Sequence, residues 1–534
     1  MRSRPRARTG LPSLNATAHV LRHLRDVPAL SENALVREVW DARASEHVTL
    51  DEVAADVSTV AIAALGAGAA WPSAEKRLRE VVLRCDVEAQ PHARVMAELA
   101  ISRAELYRRL AAGRRFVAQR IRERFAESKR GADPFERPLD IRMQGALALV
   151  MAGRADEAVR HLAPLLESAA GPDLVVVACA LAEIRLDAKL PVEARAYLRL
   201  AADEAERLRG TNRTVALAKI ASIDTLAETK AGRGTRQTEH ELDRHIAALR
   251  PLPEPDRLVC DTLSALVLLK AALAAYRGDA AEGLRVLRTS PAADPVRPVS
   301  PRPRAEYLTM LVAIRLLLPG ELAAAREDDR HLYAFATAHG LQHAVTAALA
   351  HRATIEGIGG NFALAARYAT EALAASSAFM PRFEHAGVCT MAAWTALGAG
   401  RPSEARALAG EARACAGPGS YPALLAGVYE MDAYRMEGKY LDCARSGEPL
   451  ERILDETAYP QLLGIVRRIR AALYVERGDD ARARRALGDS LDLLRATGRS
   501  TDLLRTLELA CEVWADRRIR DEARQLRAAI GMRV

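Results

Sequence analysis

A recurring pair of residues, five positions apart, constrains the fold of this chain more than any other feature. From about residue 140 onward, a glycine or a basic residue is followed five positions later by a small residue that opens an amphipathic helix. From Gly360 onward the spacings between these turns are 40, 38, 40 and 40 residues. The pairs are Gly153/Ala158, Lys189/Ala194, Gly278/Gly283, Gly360/Ala365, Gly400/Ala405, Gly438/Cys443, Gly478/Ala483 and Arg518/Ala523.

The physical reason for this pattern is a tight turn followed by close packing. Glycine adopts the left-handed conformation that ends one helix, and the small residue lets the next helix approach the first. Each hairpin leaves an apolar face that only its neighbours can cover. The pattern therefore predicts a stack of helical hairpins.

This region resembles the tetratricopeptide repeat superfamily. The resemblance rests on the segments GRADEAVRHL, GNFALAARYATEAL, GRPSEARALAGEA and GDDARARRALGDSL. The period is nearer 40 residues than the 34 of the standard repeat, which implies a divergent version with longer helices. The resemblance implies an α-solenoid that binds a partner.

Composition extends the helical prediction to the whole chain. Aromatic residues are only 4% of the 534 residues, and Ala, Leu, Arg and Glu dominate, as in long helices. The chain is too long for one compact core. We expect an all-α protein with a disordered basic tail at 1–12, a helical domain at 13–135 and the solenoid at 136–534. Five prolines at 290–304 predict a loop or a joint within the solenoid.

The most specific functional signal is the stretch 95–124, VMAELAISRAELYRRLAAGRRFVAQRIRER. It predicts a helix-turn-helix at about 92–112, whose second helix would lie in the major groove of DNA. Ser102 followed by Glu105 is a capping box that starts the second helix. An apolar stripe keeps one face of that helix toward the core, and it comprises Leu106, Leu110, Val117 and Ile121.

Charge singles out the same helix. Residues 101–130 hold ten Lys/Arg against three Asp/Glu, whereas the whole chain has a net charge of +8. Such a basic block is an electrostatic footprint for a polyanion. Because the first turns of a recognition helix reach base edges, the candidates for base contact are Arg103, Ala104, Tyr107 and Arg108. The candidates for phosphate contact are Ser102, Arg109, Arg114 and Arg115.

The segment VMAELAISRAEL, residues 95–106, resembles the recognition unit of sigma-factor region 4 and of related bacterial regulators. In those proteins a pattern close to I-A-x-x-L-G-[VI]-S-R-x-x-[VF] recurs. Met96 and Ala100 depart from the usual small Ala and turn Gly, and Arg109 falls where many relatives bury an apolar side chain. The resemblance implies a sequence-specific regulator of transcription.

Signatures of enzymatic chemistry are absent from the sequence. It contains neither a phosphate-binding G-x-x-x-x-G-K-[ST] loop nor a G-x-S-x-G elbow. The pairs His19/His23 and His339/His343 have helical spacing without an evident third ligand, and the seven cysteines are scattered. We therefore expect no catalytic residues, metal or cofactor. The cysteine usage and the lack of a long apolar run predict a reduced, cytoplasmic location without a membrane.

Two functions remain open from the sequence. The first is a bacterial-type transcription regulator that binds duplex DNA, with a solenoid that binds a protein, a peptide or a small ligand. RNA polymerase and a signalling ligand are candidates for that partner. The alternative is an adaptor that binds no DNA and uses the whole solenoid for protein–protein interaction.

Overall fold

The computed structural model describes residues 14–24, 26–42, 50–66, 76–131, 138–151, 154–187, 191–233, 236–252, 256–456, 459–498 and 500–531. Throughout these ranges the regular elements are helices, and no strand occurs. Internal contacts divide the chain into two compact units, Met1–His161 and Leu162–Val534. The predicted tail at 1–12 and the predicted boundary at 135–136 lie outside the described residues.

The first unit is a cluster of helices around one long helix. Its helices are α1 (Leu14–Arg22), α2 (Val27–Ser31), α3 (Ala34–Ala42), α4 (Leu50–Gly66), α5 (Lys76–Val82), α6 (His92–Leu99), α7 (Arg103–Gly131) and α8 (Pro138–Met151). A π-helical turn, Leu83–Val87, continues α5. Helix α9 (Ala155–Leu162) ends at the border of the two units.

Helix α7 is central because its apolar stripe is covered by α1, α4 and α5. The four stripe residues predicted from the sequence are all buried, which confirms the predicted core face. Gly113 lies on the same face, where a Cβ atom would come within 2.4 Å of Val82 Cγ2. Close approach of α5 to α7 therefore requires glycine at this position.

The second unit consists of consecutive antiparallel hairpins. After the short α10 (Leu165–Ser168) the helices are α11 (Pro172–Asp187), α12 (Pro191–Arg207), α13 (Gly210–Lys230), α14 (Arg236–Leu249), α15 (Arg257–Tyr276), α16 (Ala280–Leu287), α17 (Pro301–Arg315), α18 (Leu322–Ala338), α19 (Gln342–Ile358), α20 (Phe362–Phe379), α21 (Arg382–Gly398), α22 (Pro402–Cys415), α23 (Tyr421–Met436), α24 (Tyr440–Glu456), α25 (Pro460–Glu476), α26 (Asp480–Thr497), α27 (Ser500–Trp514) and α28 (Arg517–Ile530). Each odd-numbered helix from α11 to α25 packs on the next odd-numbered one. The odd helices thus form one layer of an α-solenoid of tetratricopeptide-like hairpins.

The predicted turn glycines have the conformation that the repeat pattern requires. Positive φ angles of 70° to 95° occur at the five glycines 278, 360, 400, 438 and 478. The small residues five positions later are buried at the helix crossings. Gly153 and Lys189 lie outside the described residues.

The proposed Arg518/Ala523 turn is wrong in its first member. Arg518 is the second residue of α28, so it is not part of the turn. Ala515 takes the positive φ angle of 50° instead. Asp516 then caps α28 by accepting a hydrogen bond from the Arg518 amide at 2.8 Å.

The proline-rich segment is shorter than the sequence indicates. Helix α17 begins at Pro301, because proline is tolerated in the first turn of a helix. The array continues across the loop, since α15 packs on α17. Asp261 anchors the loop by accepting hydrogen bonds from the Ser300 amide at 2.8 Å and from its hydroxyl at 2.5 Å.

The solenoid winds tightly enough for successive coils to touch. The Gln461 side-chain amide donates to the Tyr276 carbonyl, and the Ser500 hydroxyl donates to the Leu317 carbonyl at 3.4 Å. These partners are 185 and 183 residues apart. The ends of α15 and α17 therefore meet the starts of odd helices five hairpins later.

One described helix, α15, is long and apolar enough to cross a membrane by length and composition. No such segment is predicted from the sequence, because Asp261 and Lys270 interrupt the apolar residues of this helix. Of its most apolar 18-residue window, 72% is buried inside the protein, as in the core helix of a folded domain.

Candidate functional site

The turn between α6 and α7 has three residues, as the sequence indicates. Ala100 adopts the left-handed conformation with φ 51° and ψ 45°. Its amide donates to the Ala97 carbonyl at 3.3 Å, and the Ile101 amide donates to the Met96 carbonyl at 3.1 Å. This is a Schellman motif, which satisfies the last carbonyls of α6. Ala100 therefore takes the left-handed turn conformation that glycine takes in the solenoid hairpins.

The start of α7 is fixed by Ser102. Its hydroxyl oxygen accepts a hydrogen bond from the Glu105 amide at 3.2 Å. The Glu105 carboxylate binds the Arg109 guanidinium at 2.6 Å and also contacts Arg108. Ser102 is therefore the N-cap, whereas Glu105 organises the arginines of the first turns.

A ring contact connects the two helices on their solvent side. The rings of His92 and Tyr107 meet edge to face with centroids 5.5 Å apart. The Tyr107 hydroxyl lies 3.4 Å from His92 Nδ1, and the Arg103 guanidinium lies 5.8 Å from the tyrosine ring. Tyr107 is still 47% exposed, so its outer edge and Arg103 both face solvent.

The eight predicted DNA-contacting residues separate into an outer and an inner group. The outer group is exposed and comprises Ser102, Arg103, Ala104, Tyr107, Arg108 and Arg115. The inner group has side chains that are only 17% and 15% exposed, Arg109 and Arg114. Six of the predicted residues are thus solvent-exposed, five of them at the turn and in the first turns of α7, whereas Arg115 lies about two turns further along the helix.

Arg114 forms an ion pair with an acidic residue outside α7. Its guanidinium makes a two-pronged ion pair with Asp86 at 2.6 and 2.7 Å. Asp86 is buried and lies in the π-helical turn that follows α5. Further along α7, Arg122 pairs with Glu38 at 2.9 and 3.2 Å. Part of the basic block therefore holds the first unit together, and its exposed charge is smaller than the sequence count.

A second candidate site is a cluster of charged side chains inside the second unit. At its centre Arg302 of α17 pairs with Glu183 of α11 at 2.5 Å and with Glu306 at 2.7 Å. Burial raises the pKa of Glu183, but nearby positive charge, chiefly Arg302, lowers it to about 2. The Glu183 carboxyl is therefore ionised. Glu183 and Arg302 come from helices three hairpins apart, so the cluster bridges the interior of one coil.

Lys230 forms the other half of this charge cluster. Its ammonium group contacts Asp187 and lies 3.1 Å from Glu384 of α21. Burial raises the pKa of Asp187 to about 7 against the opposing charge of Lys230. His343 is influenced by the cluster, since burial and, to a smaller extent, the charge of Arg302 lower its pKa to about 3. Both of its ring nitrogens are buried without a hydrogen-bond partner among the described residues.

A narrow groove opens between the amino-terminal ends of α11, α13 and α15. Val175, Thr211 and Val259 line it, with Lys219 at its polar side. Its volume is about 40 Å³, whereas sites for drug-sized molecules are roughly 300–1,000 Å³. The groove has the size of a single side chain.

Comparison with known proteins finds only distant structural similarity. No family model and no curated protein matches the sequence. One similar solved structure is a Rap protein complexed with competence and sporulation factor, at 11% identity and a TM-score of 0.45, covering 73% of this chain and 99% of that one. Another is the APC/C hetero-tetramer Cut9–Hcn1, at 12% identity and a TM-score of 0.42, covering 85% and 90%.

Proposed function

We propose that this protein is a sequence-specific, DNA-binding transcription regulator that reads duplex DNA with the start of α7. The observation that carries the proposal is the capped, solvent-facing first turns of α7, which present Arg103 and Arg108. Helices with a free, polar amino-terminal face fit the major groove.

Individual roles follow from exposure and chemistry. Arg103 and Arg108 are suited to guanine, which accepts two hydrogen bonds from one guanidinium. Ala104 and Tyr107 are suited to a thymine methyl or a sugar. Ser102 and Arg115 are placed for phosphates, which position the helix without specifying sequence. Arg109 and Arg114 support this face through Glu105 and Asp86.

The solenoid has a fold suited to protein–protein interaction. We propose that it docks a protein or peptide, with the charge cluster around Arg302 and Lys230 as the recognition surface. The Arg302 and Glu384 side chains of the cluster are still 34% and 36% exposed, and exposed charges favour an extended partner with complementary charges over an apolar small molecule. RNA polymerase or a signalling peptide fits this description. The proposed regulator is cytoplasmic and has no enzymatic activity.

Gel-shift titration with sequences selected from a random DNA pool tests the DNA-binding proposal on the full chain. We expect Arg103→Ala with Arg108→Ala to abolish specific retardation. The parent's affinity should fall with salt, with a log–log slope of about −0.9 per phosphate contact. Arg482→Ala with Arg517→Ala is the matched control, because these arginines of the second unit have side chains 71% and 91% exposed.

The adaptor alternative predicts the opposite outcome of the same experiment. If the full chain retards no DNA at low salt while it still captures a protein partner, the regulator proposal fails. Retention of that partner by the Arg103→Ala, Arg108→Ala variant would then assign the interaction to the solenoid.

A further inference from the structure

Three potential metal ligands converge where helices α21 and α22 cross. His385 and Cys389 lie one turn apart on α21, and Glu411 faces them from α22. His385 Nε2 is 2.9 Å from Glu411 Oε1 and 3.4 Å from Cys389 Sγ. All three ligand atoms lie within 4.8 Å of one another. None of these three residues belongs to the charge cluster around Arg302 and Lys230, although Glu384 of that cluster directly precedes His385 in α21.

The neighbouring Ser376 contacts the other ring nitrogen of His385. The serine hydroxyl lies 3.1 Å from the Leu373 carbonyl and 2.8 Å from His385 Nδ1. Because Nδ1 is engaged in this way, Nε2 is the ring nitrogen that points toward Glu411 and Cys389.

Glu411 and Cys389 both approach this ring nitrogen. A carboxylate oxygen lies 2.9 Å and a sulfur 3.4 Å from His385 Nε2, and the nitrogen of a neutral imidazole can bind a metal. His385 and Cys389 are buried, and Glu411 is exposed. One imidazole, one thiol and one carboxylate therefore meet at a single point where α21 packs on α22.

We propose that His385, Cys389 and Glu411 form a binding site for Zn²⁺. Imidazole nitrogen, thiolate sulfur and carboxylate oxygen are the ligands that zinc takes in proteins. Bond lengths of about 2.0–2.3 Å in a tetrahedral site separate neighbouring ligand atoms by roughly 3–4 Å. The Glu411 side chain is 51% exposed, so water reaches the fourth position. Ser376 acts from outside the ligand shell by orienting His385.

Binding exchanges a proton for the metal. Zn²⁺ displaces the proton of the Cys389 thiol to solvent and forms the Zn–S bond, with no change of oxidation state.

Metal titration of the full-length chain, first stripped with a chelator, tests the site. We expect one equivalent of Zn²⁺ to compete against a chromophoric chelator. Co²⁺ should give the thiolate-to-cobalt charge-transfer band and the visible bands of a tetrahedral ion. Absence of stoichiometric binding, or a Co²⁺ spectrum without the thiolate band, overturns the proposal in favour of a direct hydrogen bond between His385 and Glu411.

Substitutions assign the binding to these residues. Cys389→Ser should abolish the charge-transfer band, and Ser376→Ala should weaken affinity about 10–100-fold. Glu411→Gln should weaken it at least as much, and its exposed position leaves folding intact. Cys443→Ser removes a buried thiol elsewhere and is the matched control for Cys389. Unchanged affinity in Glu411→Gln and Ser376→Ala would contradict the site even if Cys389→Ser does not fold.

Discussion

The α6–α7 turn of the first unit and the glycine turns of the solenoid both contain a left-handed residue, but the helices that they join differ. Solenoid turns use glycine at φ 70° to 95° and join long helices that pack along each other. The α6–α7 turn uses Ala100 at φ 51°, which costs about 1 kcal/mol relative to glycine. It joins an eight-residue helix to a long one whose first turns are polar and exposed.

The comparison teaches that a helix-turn-helix outline has little functional meaning in a chain made of hairpins. What separates the two regions is where the second helix directs its polar side chains. In the solenoid, the small residue after each turn is buried against a neighbouring helix. In α7 the corresponding turns present Arg103 and Tyr107 to solvent, and the buried stripe begins with Leu106.

The largest expected effect comes from truncating the buried stripe of α7. Leu110→Ala should lower the free energy of unfolding by about 2–5 kcal/mol, because Leu110 is fully buried. It should also weaken DNA binding, since the stripe positions the exposed face of α7. Leu487→Ala of α26 is an equally buried control that should destabilise the solenoid and leave DNA affinity unchanged. Urea unfolding and gel-shift titration measure the two effects.

Acid should weaken the solenoid through a buried histidine. Burial lowers the pKa of His351 to about 4, whereas an unfolded histidine titrates near 6.5. The contribution of His351 to the free energy of unfolding is therefore fully present above pH 6.5. It is lost as the pH falls toward 4, because the unfolded chain binds a proton that the buried ring does not, and the loss reaches up to about 3 kcal/mol. Thermal unfolding at pH 7 and pH 4.5 should show a smaller pH effect for His351→Leu than for the parent.

The control for this pH dependence is His331→Leu. The His331 side chain is 66% exposed, so its removal should leave the pH effect unchanged. If His351→Leu is as sensitive to acid as the parent, His351 is not the source of the effect.

Exchanging the turn residues tests the comparison directly. Gly478→Ala should lower the free energy of unfolding by about 1 kcal/mol, because only the φ angle of 73° opposes a side chain there. Ala100→Gly should raise it by about 0.5 kcal/mol, since the freedom of glycine in the unfolded chain offsets part of the relief. Urea unfolding of both variants checks the signs, and two changes of the same sign would refute the shared turn geometry.

The smallest effect concerns a glycine that has no turn to make. Gly410 lies inside α22, and a Cβ atom there meets nothing within 4 Å. Gly410→Ala should therefore stabilise the solenoid by roughly 0.5–1 kcal/mol. Gly113→Ala in α7 is the contrasting case, because its Cβ would clash with Val82. Thermal shifts in the same direction for both would show that α5 and α7 are not in close contact.

Much of the candidate DNA-contacting site could be predicted because it is local in sequence. The cap at Ser102, the three-residue turn and the stripe from Leu106 depend on residues within one or two helical turns of each other. The inward direction of Arg114 could not be predicted, since it depends on Asp86, which lies 28 residues away. Counting charges along the chain does not reveal such a partner.

The proposed zinc site shows the same limit more sharply. His385 and Cys389 are four residues apart in the sequence, but this spacing alone indicates no site, because Glu411 comes opposite them only where α21 and α22 cross. The charge cluster around Arg302 gave no sequence signal at all, because its members come from helices several hairpins apart.

The sequence by itself determined the all-α class, the period of the hairpins and the turns at their glycines, because helix periodicity and backbone conformation are properties of neighbouring residues. Only the tertiary structure decided which arginines of α7 remain exposed, how the solenoid coils touch, and where His385 meets Glu411. These features depend on how the helices cross and on how far each coil of the solenoid rises. Both are determined by contacts between side chains that are distant in the sequence.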